Sequence, residues 1–103
     1  MNSRNYKTGK SNIEGTGVFT TMPIHQGQTI GVGIWYYLGI IPIVSSFGSK
    51  INHSWSPTTE VLYDKKNWIY NVIAKYDLEP NTEVTVDYRN TPNFIKKPDP
   101  NWK

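Results

Sequence analysis

Apolar and polar positions along this chain alternate in short runs, and turn residues separate the runs at close intervals. Thr29-Ile30-Gly31-Val32-Gly33-Ile34-Trp35-Tyr36 alternates well enough to predict a strand. Thr59-Glu60-Val61-Leu62-Tyr63-Asp64 and Trp68-Ile69-Tyr70-Asn71-Val72-Ile73-Ala74 flank Lys65-Lys66-Asn67, which predicts a β-hairpin with a short loop. Glu83-Val84-Thr85-Val86-Asp87-Tyr88 predicts the last strand, with Val84, Val86 and Tyr88 on one face as a continuous buried row. The most apolar stretch, Ile34 to Phe47, contains Gly39 and Pro42, which disfavour a long helix there. No segment carries a convincing 3.6-residue apolar period, so the expected fold class is mostly β with little helix.

The connecting segments carry the candidate chemistry. Residues 1–12 are polar and read as a loose arm or an edge strand. Gly15-Thr16-Gly17-Val18-Phe19-Thr20-Thr21 is a tight glycine turn feeding a β-branched run, where glycine admits positive φ or a close backbone approach. A lone Gly-x-Gly is first of all a hairpin turn. Neither this motif nor Gly31-Val32-Gly33 completes G-x-G-x-x-G, because the sixth positions are Thr20 and Tyr36, and no crossover helix follows. Pro23 to Gln28 and Asp77 to Asn81 read as turns. Ile51-Asn52-His53-Ser54-Trp55-Ser56-Pro57-Thr58 is too polar for a strand and too poor in helix formers for a helix, so it reads first as a loop. Its sharper reading makes Asn52 and His53 a ligand-holding pair inside a β-fold. Residues 89–103, with Pro92, Pro98 and Pro100, form an irregular tail carrying Phe94 and Trp102.

Composition narrows the choices. A chain of 103 residues allows one small domain, able to bury roughly 60–65% of its unfolded surface. The absence of Cys excludes disulfide scaffolds, Cys-ligated zinc and thiol nucleophiles. Two histidines, His25 and His53, give neither a zinc site nor a Ser-His-Asp arrangement much to work with, so no metal is expected. Met1 to Asn5 lead into no apolar signal region and no segment reaches membrane-spanning length, so a soluble, intracellular protein with no membrane partner is the expectation. In that setting the Asn52-His53-Ser54 sequon has no meaning as a glycan acceptor. The net charge of +3 is mild, and Arg4, Lys7, Lys10 and the pairs Lys65-Lys66 and Lys96-Lys97 are scattered as on a solvated surface. A nucleic-acid footprint would be denser. Aromatics at 14% suit β-sheet packing, and so small and aromatic a domain could bury a patch against a copy of itself as a homodimer.

Four blocks in order resemble a known family: Gly15-Thr16-Gly17-Val18-Phe19; the step Ile24, Gly27, Ile30; Ile51-Asn52-His53-Ser54-Trp55-Ser56-Pro57; and Tyr76-Asp77-Leu78-Glu79-Pro80-Asn81-Thr82-Glu83-Val84-Thr85-Val86-Asp87-Tyr88. The series is similar to the SET domain of S-adenosylmethionine-dependent protein lysine methyltransferases. The short length resembles the minimal SET proteins of viruses, which would place it in a host cytoplasm or nucleus. The resemblance implies a SET-domain, β-clip-like fold of several short sheets with a knot-like C-terminal core. It divides residues 1–103 into an arm (1–12), a SET core (13–88) and a tail (89–103).

The resemblance also implies roles. Gly15, Thr16, Gly17 and Val18 would bring backbone to the cofactor S-adenosylmethionine, whose product is S-adenosylhomocysteine, and Asn52 and His53 would clamp it. Tyr88, catalytic and cofactor-contacting, would sit where the amine of a protein substrate's lysine meets the methyl group. Tyr36, Tyr37, Phe94 and Trp102 would line the substrate channel. The chain departs from the family pattern at Ser49-Lys50 before the Asn-His pair and at Thr58 after Pro57. The substrate-groove insert shrinks to Tyr37 to Gly48, and no cysteines follow the core for a zinc lid, which leaves channel closure to Phe94 or Trp102. Two other classes stand beside this one: a catalytically inactive SET-like binding module, and a small basic β-barrel binding nucleic acid through exposed aromatics and Lys65, Lys66, Lys96 and Lys97.

Overall fold

The computed structural model describes residues 5–92 and 95–101. Among these residues, eight strands form two four-stranded sheets. The first has the order β1 (Tyr6–Lys10), β2 (Thr16–Thr20), β8 (Glu83–Val86), β5 (Asn52–His53); the second has the order β4 (Ile41–Val44), β3 (Thr29–Tyr37), β7 (Ile69–Ala74), β6 (Thr59–Asp64). The fold class is thus mostly β, and the only helical pieces among the described residues are two 3-10 turns, Gly48–Lys50 and Tyr88–Asn90. No helix among these residues is long and apolar enough to cross a membrane.

Most strand limits follow the alternation of the sequence, and the arm folds as edge strand β1, antiparallel to β2. Three limits differ, each for a physical reason. Trp68 lies in the β6–β7 turn with φ 56°, not in the strand, and its ring covers Gly39, where a Cβ would sit 2.7 Å from the indole. Asn52–His53 is not loop but a short strand, because its backbone pairs in parallel with Thr85 and Val86. β8 stops at Val86: the Asp87 carboxylate accepts the Arg89 N–H and turns the chain into the 3-10 segment that carries Tyr88. The predicted one-faced buried row is likewise two-faced, since Thr85 and Asp87 are buried along with Val84 and Val86.

β8 is buried on both faces because it enters between strands from much earlier in the chain. Val84 faces Val18 on β2, and both join Ile24, Ile30, Phe47, Ile51, Val72, Ala74, Leu78 and Val86 in one core. β5 is too short to satisfy β8 alone, and threonines supply the rest. The Thr58 hydroxyl donates to the Glu83 carbonyl (2.9 Å), the Thr59 hydroxyl donates to the Thr85 carbonyl (2.7 Å), and the Thr58 N–H donates to the Thr85 Oγ1 (3.0 Å). Buried backbone groups demand such partners.

The Ile51–His53 segment is placed by close packing against β3. A Cβ on Gly48 would lie 2.4 Å from the Gly33 carbonyl oxygen, so only glycine lets the 3-10 turn approach that strand. Ser45 fastens the approach: its hydroxyl donates to the Val32 carbonyl (2.6 Å) and accepts the Gly48 N–H (2.8 Å). β3 shifts register between Thr29 and Gly31 and between Val32 and Ile34, irregularities of the kind that re-aim a strand beside a site.

Candidate functional site: the Tyr88–His53–Ile51 junction

Tyr88 is fixed at both ends. Its backbone N–H donates to His53 Nδ1 (3.0 Å), and its phenol donates to the Ile51 carbonyl (2.7 Å). The strand pairing of β5 with β8 therefore continues through side chains across the one turn where the backbones part. Because Nδ1 accepts, a neutral His53 carries its proton on Nε2. Burial pushes the His53 pKa below its ordinary value; the nearby Asp87 carboxylate opposes this and Arg89 adds to it. Trp55 stands edge-on to the imidazole at 4.3 Å and Tyr88 lies tilted at 5.2 Å. Asp87 is buried beside this ring and held by Arg89 through Nε (3.0 Å) and Nη2, and that pairing keeps its carboxyl below the usual range. The Arg89 guanidinium in turn lies 4.8 Å over Trp55. Burial pushes the Tyr88 hydroxyl above its ordinary pKa, so it remains a phenol at neutral pH.

Tyr88 and Ile51 form part of the wall of a cavity of about 210 Å³. Ile34, Val44, Val61, Val72, Val86 and Ile95 make most of its lining apolar, Gly33 and Gly48 leave part of the wall bare, and Thr91 and Lys96 join from the tail. This is an apolar slot with a phenol and a backbone carbonyl hydrogen-bonded to each other on one wall.

A second cluster joins the glycine turn to the Asn-His strand. The Glu83 carboxylate accepts the Ser11 hydroxyl (2.9 and 2.8 Å) and the Asn52 amide (3.0 Å), and that amide also donates to the Glu14 carbonyl (3.0 Å). A Cβ on Gly17 would lie 2.5 Å from Glu83 Oε2, so Gly17 is the opening through which the carboxylate reaches its partners. Gly15 has φ +42° and open space beside it.

The sequence-predicted residues divide accordingly. His53 and Tyr88 meet, whereas Asn52 joins the other cluster, where Glu14 and Glu83 tie it to the Gly15–Gly17 turn. Val18 is a fully buried core residue facing Val84; its side chain anchors the turn. Tyr36 and Tyr37 do not line the cavity: Tyr36 packs on Tyr70, and Tyr37 lies on the opposite sheet face against Trp35. Adjacent residues on a strand face opposite ways, so the two could not share one wall. Phe94 and Trp102 lie outside the described residues. Sequence reasoning left out Glu83, Ser11 and the Ile51 carbonyl. Glu83 was readable only as a surface strand end, and a backbone carbonyl leaves no mark in sequence.

No family model matches the chain, and no curated protein sequence matches it. Among solved structures, the crystal structure of a Plasmodium falciparum protein provisionally assigned as a histone methyltransferase superposes with a TM-score of 0.66 at 18% identity, covering 82% of this chain and 92% of that one. Similarity at that identity defines the fold alone. The chain has the SET fold: several short sheets, with the C-terminal strand β8 lying between β2 and the Asn-His strand β5.

Proposed function

We propose that this protein is an S-adenosylmethionine-dependent protein lysine methyltransferase. The observation that carries the reading is the Tyr88 phenol donating to the Ile51 carbonyl on the wall of an apolar slot, within a SET fold.

The donor set suits a cationic sulfonium cofactor. The Glu14 carbonyl and the Glu83 carboxylate meet the Asn52 amide beside the glycine turn, the Ile51 carbonyl stands at the slot, and the backbone beside Gly15 is open. Gly15, Thr16, Gly17, Asn52, His53 and Tyr88 would hold the cofactor, with Val18 anchoring the turn from the core. Bound there, S-adenosylmethionine supplies an electrophilic methyl group and leaves as S-adenosylhomocysteine.

The chain's own residues supply positioning and desolvation. A lysine amine has an ordinary pKa of about 10.4 and reacts only when neutral. The slot of Ile34, Val44, Val61, Val72 and Val86 disfavours the ammonium form and lowers that value. Tyr88 is no base, since burial raises its own pKa. With its proton committed to Ile51, its oxygen offers lone pairs to an amine N–H and fixes the direction of the nitrogen lone pair. Aligning nitrogen with the reacting carbon is most of what an in-line displacement requires. His53 positions Tyr88 through the backbone.

Cofactor binding is tested by thermal shift. At about 100 times Kd, a ligand of the folded state adds about 2.7 kcal/mol, a Tm rise of roughly 10–20 °C for a domain of this size. No shift at saturating cofactor overturns the reading. A shift without methyl transfer to any extract protein defines the inactive binding module instead.

The same reading includes a homodimer. Trp35, Tyr37, Ile41, Ile43 and Leu62 share one face of the second sheet by register and are 40%, 48%, 52%, 36% and 45% exposed. This face runs to the open edge β4, and its several hundred Å² of apolar surface approach the roughly 800 Å² per partner of a stable interface. A second copy presenting the same face would cover it as an isologous pair. Sedimentation of the wild type at twice the monomer mass, and of Trp35→Glu as a monomer, is the expected result; a monomeric wild type contradicts it.

A further inference from the structure

The tail places one of the chain's own lysines on the wall of the slot. Thr91, Ile95 and Lys96 line it together with Tyr88 and Ile51. The tail is fastened on either side of this contact. The Thr91 hydroxyl donates to the Tyr88 carbonyl (2.6 Å), which ties the tail to the residue that carries the phenol. The Ile95 N–H donates to the Pro92 carbonyl (3.0 Å), and Ile95 lines the cavity. The neighbouring lysine, Lys97, is anchored elsewhere: its ammonium donates to the Thr91 carbonyl (2.8 Å). Lys96, unlike Lys97, is among the residues that line the slot. Lys65 and Lys66, the other lysine pair, lie in the β6–β7 turn and line no part of this cavity.

We infer that Lys96 is an intramolecular methyl acceptor, so that the protein methylates its own tail. The inference rests on the methyltransferase reading and assigns it a first substrate. In the step, the lone pair of neutral Lys96 Nζ forms the new N–CH3 bond while the S–CH3 bond of S-adenosylmethionine breaks and its electron pair stays on sulfur. The products are S-adenosylhomocysteine and an N-methylammonium on Lys96, the one proton lost overall having passed from the starting ammonium to water. Tethering supplies the positioning that a separate substrate must obtain by binding.

Two measurements test this. Without cofactor, nuclear Overhauser contacts should connect the Lys96 side chain with the methyl groups of Val44, Val61 or Ile95; their absence removes the placement on which the inference stands. With S-adenosylmethionine added, peptide mass analysis should find methyl groups on Lys96, the label should vanish in Lys96→Arg and persist in Lys97→Arg, and the fraction methylated per unit time should not change on dilution. Label on Lys97, Lys65 or Lys66 instead, or a rate that falls with dilution, overturns it. Extract proteins labelled while Lys96 stays bare overturn the inference and leave the proposed function standing. If nothing is labelled in either setting, both fall.

Discussion

At the scale of residues, His53 and Glu83 are the groups on which the junction turns, and they act by different chemistry. His53 must be neutral to accept the Tyr88 N–H, and its folded-state pKa lies below the ordinary value because the ring is buried. Between the folded and unfolded values the unfolded chain binds the extra proton, so the His53 contribution is complete above about pH 6.5 and is lost as pH falls through the folded-state pKa. Thermal unfolding followed from pH 8 downward should show Tm falling once pH drops below about 6.5, with that limb flattened in His53→Gln. A limb that persists in the variant would place the titration elsewhere. Asp87, with its pKa lowered by Arg89, contributes in a separate and more acidic window: its stability is present above the ordinary carboxylate value of about 4 and is lost below it. Glu83 acts as an acceptor hub. Glu83→Ala removes the shared partner of Ser11 and Asn52 and should destabilise by about 1–3 kcal/mol. Gly17→Ala should weaken cofactor binding as well as folding, since the new methyl displaces a carboxylate tied at both oxygens. Urea midpoints and cofactor titrations separate the two effects; unchanged midpoints in both variants would deny Glu83 this role.

At the scale of elements, the approach of the Gly48–Lys50 turn to β3 decides whether the slot exists. Gly48→Ala meets backbone at 2.4 Å, not a side chain that can swing away, so the turn must back off from Gly33 and carry Ile51 with it. Overpacking of this kind costs about 1–3 kcal/mol, and cofactor-dependent activity should fall further than stability does. Nearly normal activity in a folded Gly48→Ala protein would contradict this placement of Ile51. The same elements mark what could be read in advance. The hairpin at Thr59 to Ala74, the turn before β2 and the last strand were legible because alternation and turn residues are local properties of sequence. The strand at Asn52–His53 was not, because its pairing depends on β8, far along the chain, and on threonines replacing missing ladder bonds. That Tyr88 falls in a 3-10 turn was not legible, since the cap that ends β8 comes from Asp87. Tyr36 and Tyr37 were assigned to the channel from the resemblance, and strand geometry sends them to opposite faces of a sheet whose slot is lined by small and branched residues instead.

At the scale of the whole molecule, the Tyr88 phenol stands on the wall of the apolar slot, and the glycine turn meets the Asn52 strand through Glu14 and Glu83. These contacts are long-range in sequence: Ser11 and Asn52 both donate to Glu83, and His53 accepts the Tyr88 N–H. Filling the slot should therefore block substrate without loosening the cofactor: Val61→Trp is expected to abolish transfer while leaving the cofactor-induced Tm rise intact. The most direct measurement is transfer of labelled methyl groups from S-adenosylmethionine to lysine in a protein extract, comparing wild type with Tyr88→Phe. The hydrogen bond from the phenol to Ile51 is worth only about 1 kcal/mol to folding, so the variant should stay folded and bind cofactor. Loss of a preorganised polar group at a reacting centre costs on the order of 10²-fold in rate. The account predicts lysine labelling by the wild type and a loss of about that size in Tyr88→Phe; lysine labelling that is the same in both proteins, or absent from the wild type, would contradict it.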